Sequence, residues 1–290
     1  MKNLDLSKLP AKKRKQIVSY LRAGIQLLYF LFLPSVFTAA FNGVKYIFTQ
    51  LGQGEKIEMT AFVSALLLVC AFTIVFGRFF CGFACAFGSL GDAMHAIYGI
   101  ICKKRKKKPR RIKPETAKKL ALIKYGILLL IALCCFAGVY QKARGTSPWD
   151  VFSMLHAGNF RLSSYVPGIV LLLLILVGMF FEERFFCRFL CPMGAVFSLL
   201  PILPFFTLHR KRENCIRGCS ACTRQCPSAV ELPSDGSKEI SGDCFQCQKC
   251  IDTCPKGNIR CGVKELHGNE ILFTLFRAVF LLTLLLWAGI

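Results

Sequence analysis

Apolar residues along this chain fall into membrane-length blocks separated by polar stretches. A first block runs from Ile25 to about Phe41, bounded by Arg22 and Lys45, with Pro34 inside it. Proline is tolerated in a membrane helix when neighbours satisfy the freed carbonyl, which predicts a kink and not a break. Thr60–Phe80, Leu120–Tyr140 and Tyr165–Phe181 are three further blocks of spanning length. Arg78, near the end of the second, is placed to snorkel to the headgroups. Ile271–Ala288 is a fifth block, with Arg277 inside it. An arginine at mid-membrane costs about 2.5–3.5 kcal/mol, so Arg277 is expected to snorkel or to pair with an acidic group. Two more apolar segments read as half-inserted. Residues 81–102 are broken by glycines, Asp92 and His95, and residues 187–206 carry Pro201 and Pro204, which preclude a straight helix.

The polar stretches give an orientation. Residues 103–119, KKRKKKPRRIKPETAKK, hold eleven Lys and Arg, and residues 1–22 are also basic, whereas 44–59 and 141–164 are poor in both. Basic loops stay on the cytoplasmic side. That puts the N-terminus, the 103–119 loop and the region after residue 208 in the cytoplasm, in an inner membrane of bacterial type. A chain with 54% hydrophobic residues and 38 Lys and Arg is consistent only if the two are segregated in this way. The formal charge of +22 is therefore a membrane-orientation signal, and no nucleic-acid partner is expected. The opening stretch MKNLDLSKLPAKKRKQ is polar and too long for the start of a cleavable signal, so none is expected.

A short repeat sits at the inner ends of two blocks. RFFCGFACAFGSL at 78–90 aligns without gaps to RFFCRFLCPMGAV at 184–196. The C-x3-C spacing would put each cysteine pair on one helix face. A lone membrane cysteine is usually a small hydrophobe, the reading given to Cys70, Cys102, Cys134, Cys135 and Cys261. Cys81, Cys85, Cys187 and Cys191 differ because the pair recurs. Together they would supply four ligands to a third iron–sulfur centre or another metal, or act as redox thiols. Asp92 and His95 can share a helix face as a polar pair, although Ser198 and Pro201 occupy their places in the second copy. Trp149, Asp150 and His156 lie in the outer 141–164 loop, where a quinone headgroup has room to dock.

The densest chemistry lies between Cys215 and Cys254. Eight of the seventeen cysteines fall here, in two sets that each end in Cys-Pro. The second set has the C-x2-C-x2-C-x3-C-P run of bacterial ferredoxins, and the first has one extra residue in its first gap. In such a run the fourth cysteine of each set ligates the other cluster. This assigns Cys215, Cys219, Cys222 and Cys254 to one [4Fe–4S] cluster, and Cys244, Cys247, Cys250 and Cys226 to a second. Paired zinc knuckles are the alternative, since C-x2-C also suits zinc, but zinc requires neither the paired Cys-Pro ends nor the crossed sets. No phosphate-binding glycine loop, nucleotide fingerprint, serine triad or C-x-x-C-H haem site is present in the sequence.

Two C-x3-C units after helices, followed by a two-cluster ferredoxin run, resemble the NapH-type membrane ferredoxin family. That family includes quinol dehydrogenase membrane subunits and is related to the membrane part of NosR and to the copper reductase CcoG. The resemblance implies four helices and electron transfer between quinols and a redox partner protein. Two features depart from it: Ala86 stands where the family has proline, and the fifth apolar block is extra. The expected fold is a polytopic α-helical membrane protein of about five helices, with an internal repeat and a small α+β two-cluster ferredoxin-like domain. Its parts are a basic N-terminus (1–22), a first membrane repeat (23–102), a basic loop (103–119), a second repeat (120–208), the ferredoxin domain (209–264) and a C-terminal helix (271–290). Two other functions fit the same cysteines: a membrane copper reductase using the C-x3-C quartet, since thiolates favour Cu(I), and a redox sensor or membrane anchor without turnover.

Overall fold

In the computed structural model the chain is mostly helical, with one two-stranded sheet among the described residues. The structure describes residues 11–107, 109, 111–140, 145–160, 163–203, 208–230, 232, 241–261 and 270–289. The first ten residues of the basic N-terminus and residues 231, 233–240 and 262–264 of the expected ferredoxin domain lie outside them.

The first apolar block is two helices, broken at Pro34 and not merely kinked there. α1 (Ala11–Phe32) and α2 (Val36–Gln53) meet at 62° across the Pro34 break. Proline removes an amide donor and disfavours helical backbone at Leu33 before it, so the helix stops there. α3 (Ala61–Phe76) starts at Thr60, whose Oγ1 accepts from the Val63 amide at 3.4 Å, and stops at Gly77 with φ of 69°. At 1.5 Å per residue, its sixteen residues span about 24 Å, short of the ~30 Å hydrocarbon core.

The segments Glu115–Phe136 and Ser163–Phe181 are long and apolar enough to cross a membrane. They contain α5 (Pro114–Leu120) with α6 (Ile123–Phe136), and α8 (Val166–Phe181). The bent α1–α2 pair adds a third candidate if it counts as one span. Two or three candidate spans thus stand where the apolar blocks led to an expectation of five. α3 and the C-terminal helix α11 (Glu270–Trp287) are apolar but shorter.

α2 packs along α3 and α6, and α4 (Ala86–Lys104) along α8. α11 lies against α3 and is tied to α1 by Tyr29 Oη donating to the Ala278 carbonyl at 2.7 Å. Arg277 of α11 does not snorkel. It is fully buried, with its guanidinium 4.7 Å from the Phe79 ring and 4.5 Å from that of Phe273. The loop expected to dock a quinone folds as α7 (Pro148–His156) and turns inward. Trp149 is buried, its ring centroid 5.2 Å from Phe41 and 6.0 Å from Phe186. That residue is core, with no free face for a headgroup.

After α9 (Pro192–Leu199), which ends just before Pro201, the chain forms a small unit. β1 (Leu208–Arg210) pairs antiparallel with β2 (Ile259–Cys261), Leu208 opposite Cys261. Between them lie α10 (Ala221–Gln225) and a single 3-10 turn, Ile251–Thr253. Leu208, Leu232, Cys250, Ile251 and Ile259 make its core, a small one for holding two long loops.

Candidate metal centre

The two loops of the small unit turn on unusual backbone. Gln246 and Gln248 have φ of 52° and 60°, a left-handed conformation that is uncommon outside glycine, and Gly218 has φ of 73°. Two recesses result. One has Cys215, Cys219, Cys222 and Cys254 on its wall. The other is lined by Cys226, Cys244, Cys247 and Cys250, with Cys222 at the shared edge. Cys215 and Cys219 are exposed, Cys250 is buried and the rest are half-buried. Several sulfurs face N–H donors: Asn258 N reaches Cys254 Sγ at 3.4 Å, Arg210 Nη1 reaches Cys222 Sγ at 3.6 Å, and Gln246 Nε2 reaches Cys244 Sγ at 3.7 Å.

Burial pushes the Cys250 thiol well above its ordinary value and raises Cys226 as well. Free, both would stay protonated at neutral pH, so a bound metal has to displace their protons. Among the described residues no three His, Cys, Asp or Glu side chains are arranged to hold a single metal ion. Cysteines spread round a recess suit a group that carries several irons of its own better than they suit one zinc.

The other four cysteines meet in the membrane region. Cys81, Cys85, Cys187 and Cys191 are all buried, and each interacts electrostatically with others of the four. The expected placement of each pair on one helix face is corrected by the backbone. Phe80–Ala84 and Phe186–Leu190 are single π-turns, and Cys85 and Cys191 then go extended, with ψ of 123° and 115°, to cap α4 and α9. Cys191 Sγ accepts from the Gly194 amide at 3.2 Å. A thiol at a helix N-terminus is a favoured place for negative charge.

Arg78, expected at the headgroups, and Arg184, to which no role was assigned, cross between these units. Arg78 does not snorkel: it is 1% exposed, and a methyl at Gly194 of the second unit would come within 2.9 Å of its Nη2. Arg184 is equally buried and lies against Gly88 of the first unit, donating to the carbonyls of Cys81 and Gly82. Both guanidinium groups sit over Phe245, at 4.8 Å and 5.5 Å from its centroid. Phe245 belongs to the Cys244–Cys247 loop, so that loop plugs between the two membrane units. Gly82 makes room for its carbonyl, and Gly77 for the Gln246 side chain.

Asp92 anchors Arg184. Its carboxylate accepts from Arg184 at 2.9 and 2.6 Å, from Arg22 at 2.5 Å and from Gln26 at 2.7 Å. His95 takes the Phe180 carbonyl at 3.3 Å instead of pairing with Asp92. The recurrence of arginine in both RFFC copies was the signal that pointed inward, and a single acidic residue within an apolar segment was the other.

Comparison with known proteins adds independent findings. A family described as a 4Fe-4S binding domain matches residues 59–109 and 166–207. Both matched segments enclose a C-x3-C unit, and neither includes the Cys215–Cys254 run. An uncharacterized protein of Methanocaldococcus jannaschii is 30% identical over 206 residues, covering 70% of this chain and 71% of that protein. The ferredoxin-type protein NapH of Haemophilus influenzae is 25% identical over 217 residues, 72% of this chain and 70% of its own length. The regulatory protein NosR of Pseudomonas aeruginosa is 25% identical over 214 residues, 70% of this chain but only 29% of NosR. No solved structure matches the chain.

Proposed function

Because this chain belongs to the NapH/NosR-type membrane ferredoxin family, whose members are ferredoxin-type electron-transfer proteins, we propose that it carries electrons between the quinone pool and a redox partner protein through two [4Fe–4S] clusters. Cys215, Cys219, Cys222 and Cys254 would hold one, and Cys244, Cys247, Cys250 and Cys226 the other, on a ferredoxin domain of residues 209–264. The observation that carries this reading is the sorting of the eight cysteines into two recesses that follow the crossed sets. Clusters of this kind supply one-electron chemistry over a wide range of potentials. The chain's own groups set the rest: N–H donors at the sulfurs, burial at Cys250, and cations nearby.

The quartet Cys81, Cys85, Cys187 and Cys191 is read as a third iron–sulfur centre in preference to a copper site. What supports this is that the 4Fe-4S family match encloses both pairs. Phe245 and Cys247 lie against Arg184, beside this quartet, so the second recess and the quartet share a wall. The Lys and Arg of the N-terminus and of the 103–119 loop support a cytoplasmic side of an inner membrane for the ferredoxin domain as well.

Iron and acid-labile sulfide per chain, with low-temperature EPR on anaerobically purified protein, test this. About twelve irons fit three cubane centres, and about eight leave the quartet as thiols or another metal's site. Stoichiometric zinc with little iron overturns the reading.

A further inference from the structure

A groove runs between α1 and α4, lined on the α1 side by Ser19, Arg22, Ala23, Gln26, Leu27 and Phe30. These positions recur at intervals of three and four, so they form one helix face. No charged residue follows Arg22 in α1, and Leu27, Leu28, Leu31 and Phe32 beyond it are exposed. Arg22 thus stands where a charged stretch of the helix gives way to one suited to lipid chains. Lys249 lines the groove with it. We propose that this groove binds an anionic phospholipid, its phosphate against Arg22 and Lys249 and an acyl chain along Leu27 and Phe30.

Three observations select this occupant. Arg22 is only 7% exposed, and its Nε has no hydrogen-bond partner among the described residues. The neighbouring carboxylate has no oxygen to spare. In Asp92, Oδ1 accepts from Arg184, and Oδ2 accepts from Arg184, Arg22 Nη2 and Gln26. A buried donor left over in this way calls for an acceptor from outside the chain. Charge then gives that acceptor its sign. Arg22, Arg184 and Lys249 stand against two carboxylates, Asp92 and Glu183, so the cations are in excess by one. An uncompensated buried cation is costly, and a phosphate both matches it and offers several acceptor oxygens. The exposed leucines beyond Arg22 favour a phosphate that carries acyl chains over a free one. Basic pockets between membrane helices suit anionic lipid headgroups.

The test uses the full chain in a neutral detergent, with added phosphatidylglycerol or phosphatidylcholine and bound lipid counted by native mass spectrometry. One phosphatidylglycerol per chain is expected to be retained under conditions that strip phosphatidylcholine. Arg22→Lys keeps the charge but removes the Nε donor. It should weaken phosphatidylglycerol about tenfold, the worth of one charge-assisted hydrogen bond. Ala23→Phe fills the groove from an exposed position beside Arg22 and leaves every charge in place, and it should weaken binding by at least as much. Lys106→Gln with Lys107→Gln neutralises exposed lysines that do not line the groove, and should change nothing. Equal retention of the two lipids, or wild-type retention by Ala23→Phe, overturns the proposal. So does a loss on the Lys106 and Lys107 changes as large as that on Arg22→Lys, or displacement by inorganic phosphate at equal concentration. Lipid is counted whether or not iron is bound, so the outcome stands apart from that of the cluster assignment.

Discussion

In the second Arg-Phe-Phe-Cys unit, Arg184 is held by Asp92, a carboxylate of the membrane region that it shares with Arg22. In the first, Arg78 is held at 3.1 Å by Asp243, which it shares with Lys124 of α6 at 2.5 Å. Asp243 comes from the Cys215–Cys254 segment, proposed above as the ferredoxin domain. The two units thus have the same π-turn, the same capped helix and the same arginine against a glycine, but their counter-charges have different sources. Ser198 stands where Asp92 would be in the second copy, and Gly242 packs against its carbonyl, next to Asp243. One arginine is fixed inside the membrane region; the other is fixed only when the ferredoxin segment is docked.

The largest effect should come from breaking the internal pair. Arg184 is 1% exposed and Asp92 15%, so removing the carboxylate leaves Arg184 and Arg22 uncompensated. Asp92→Asn is expected to cost about 3–5 kcal/mol, the usual penalty for a broken buried ion pair. Thermal unfolding of the detergent-solubilised protein would show it as a Tm loss of many degrees. A loss no larger than that of Asp243→Asn would remove the distinction between the two units.

Much of this was legible in the chain and some was not. Cys215, Cys219, Cys222 and Cys254 line one recess and Cys226, Cys244, Cys247 and Cys250, with Cys222, the other, a grouping visible in the chain because it is written in short local runs. The apolar blocks foretold helices, since periodicity needs no partner. The end of the first block at Pro34 was misjudged, as a kink and a break look alike in sequence and tertiary packing decides between them. The π-turn at Phe80–Ala84 was invisible for a similar reason: C-x3-C reads as one helix face, and only the extended Cys85 reveals the interruption. Arg78 was expected at the headgroups, and Arg277 there or beside an acidic group, because an isolated helix shows no aromatic partner for either. In the fold, Phe245 and Asp243 receive the first, and Phe79 and Phe273 the second.

Next in size is the docking of the ferredoxin loop itself. A methyl at Gly82 would collide with the Phe245 carbonyl, a backbone atom that cannot swing aside. Gly82→Ala should shift the Cys244–Cys247 loop at a cost of about 1–3 kcal/mol, the range for overpacking. With the proposed cluster in the second recess, its signature is slower reduction of that cluster, followed by stopped-flow absorbance, with the iron content kept. Unchanged kinetics would mean that the wedge of Phe245 is packing alone.

Asp243→Asn is the smaller counterpart of Asp92→Asn. Its carboxylate is 41% exposed, so water screens part of the loss, and about 1 kcal/mol is expected. Ser198→Asp in the same chain should recover part of it by placing a carboxylate where the first copy has one. A double-mutant cycle on Tm reads the coupling. Additive effects would show that the second copy cannot be completed from within.

The smallest effect separates two faces of α6. Lys124 is 1% exposed and bound to Asp243, whereas a methyl at Gly126, two residues on, would meet nothing within 4 Å. Glycine in a helix interior costs roughly 0.5–1 kcal/mol relative to alanine. Gly126→Ala should therefore raise Tm slightly, and Lys124→Met should lower it by releasing Asp243. A fall in Tm for Gly126→Ala would mean that this open face of α6 is covered in the assembled protein. The comparison of the two units would then have to include whatever covers it, because α6 carries Lys124, the cation that shares Asp243 with Arg78 of the first unit.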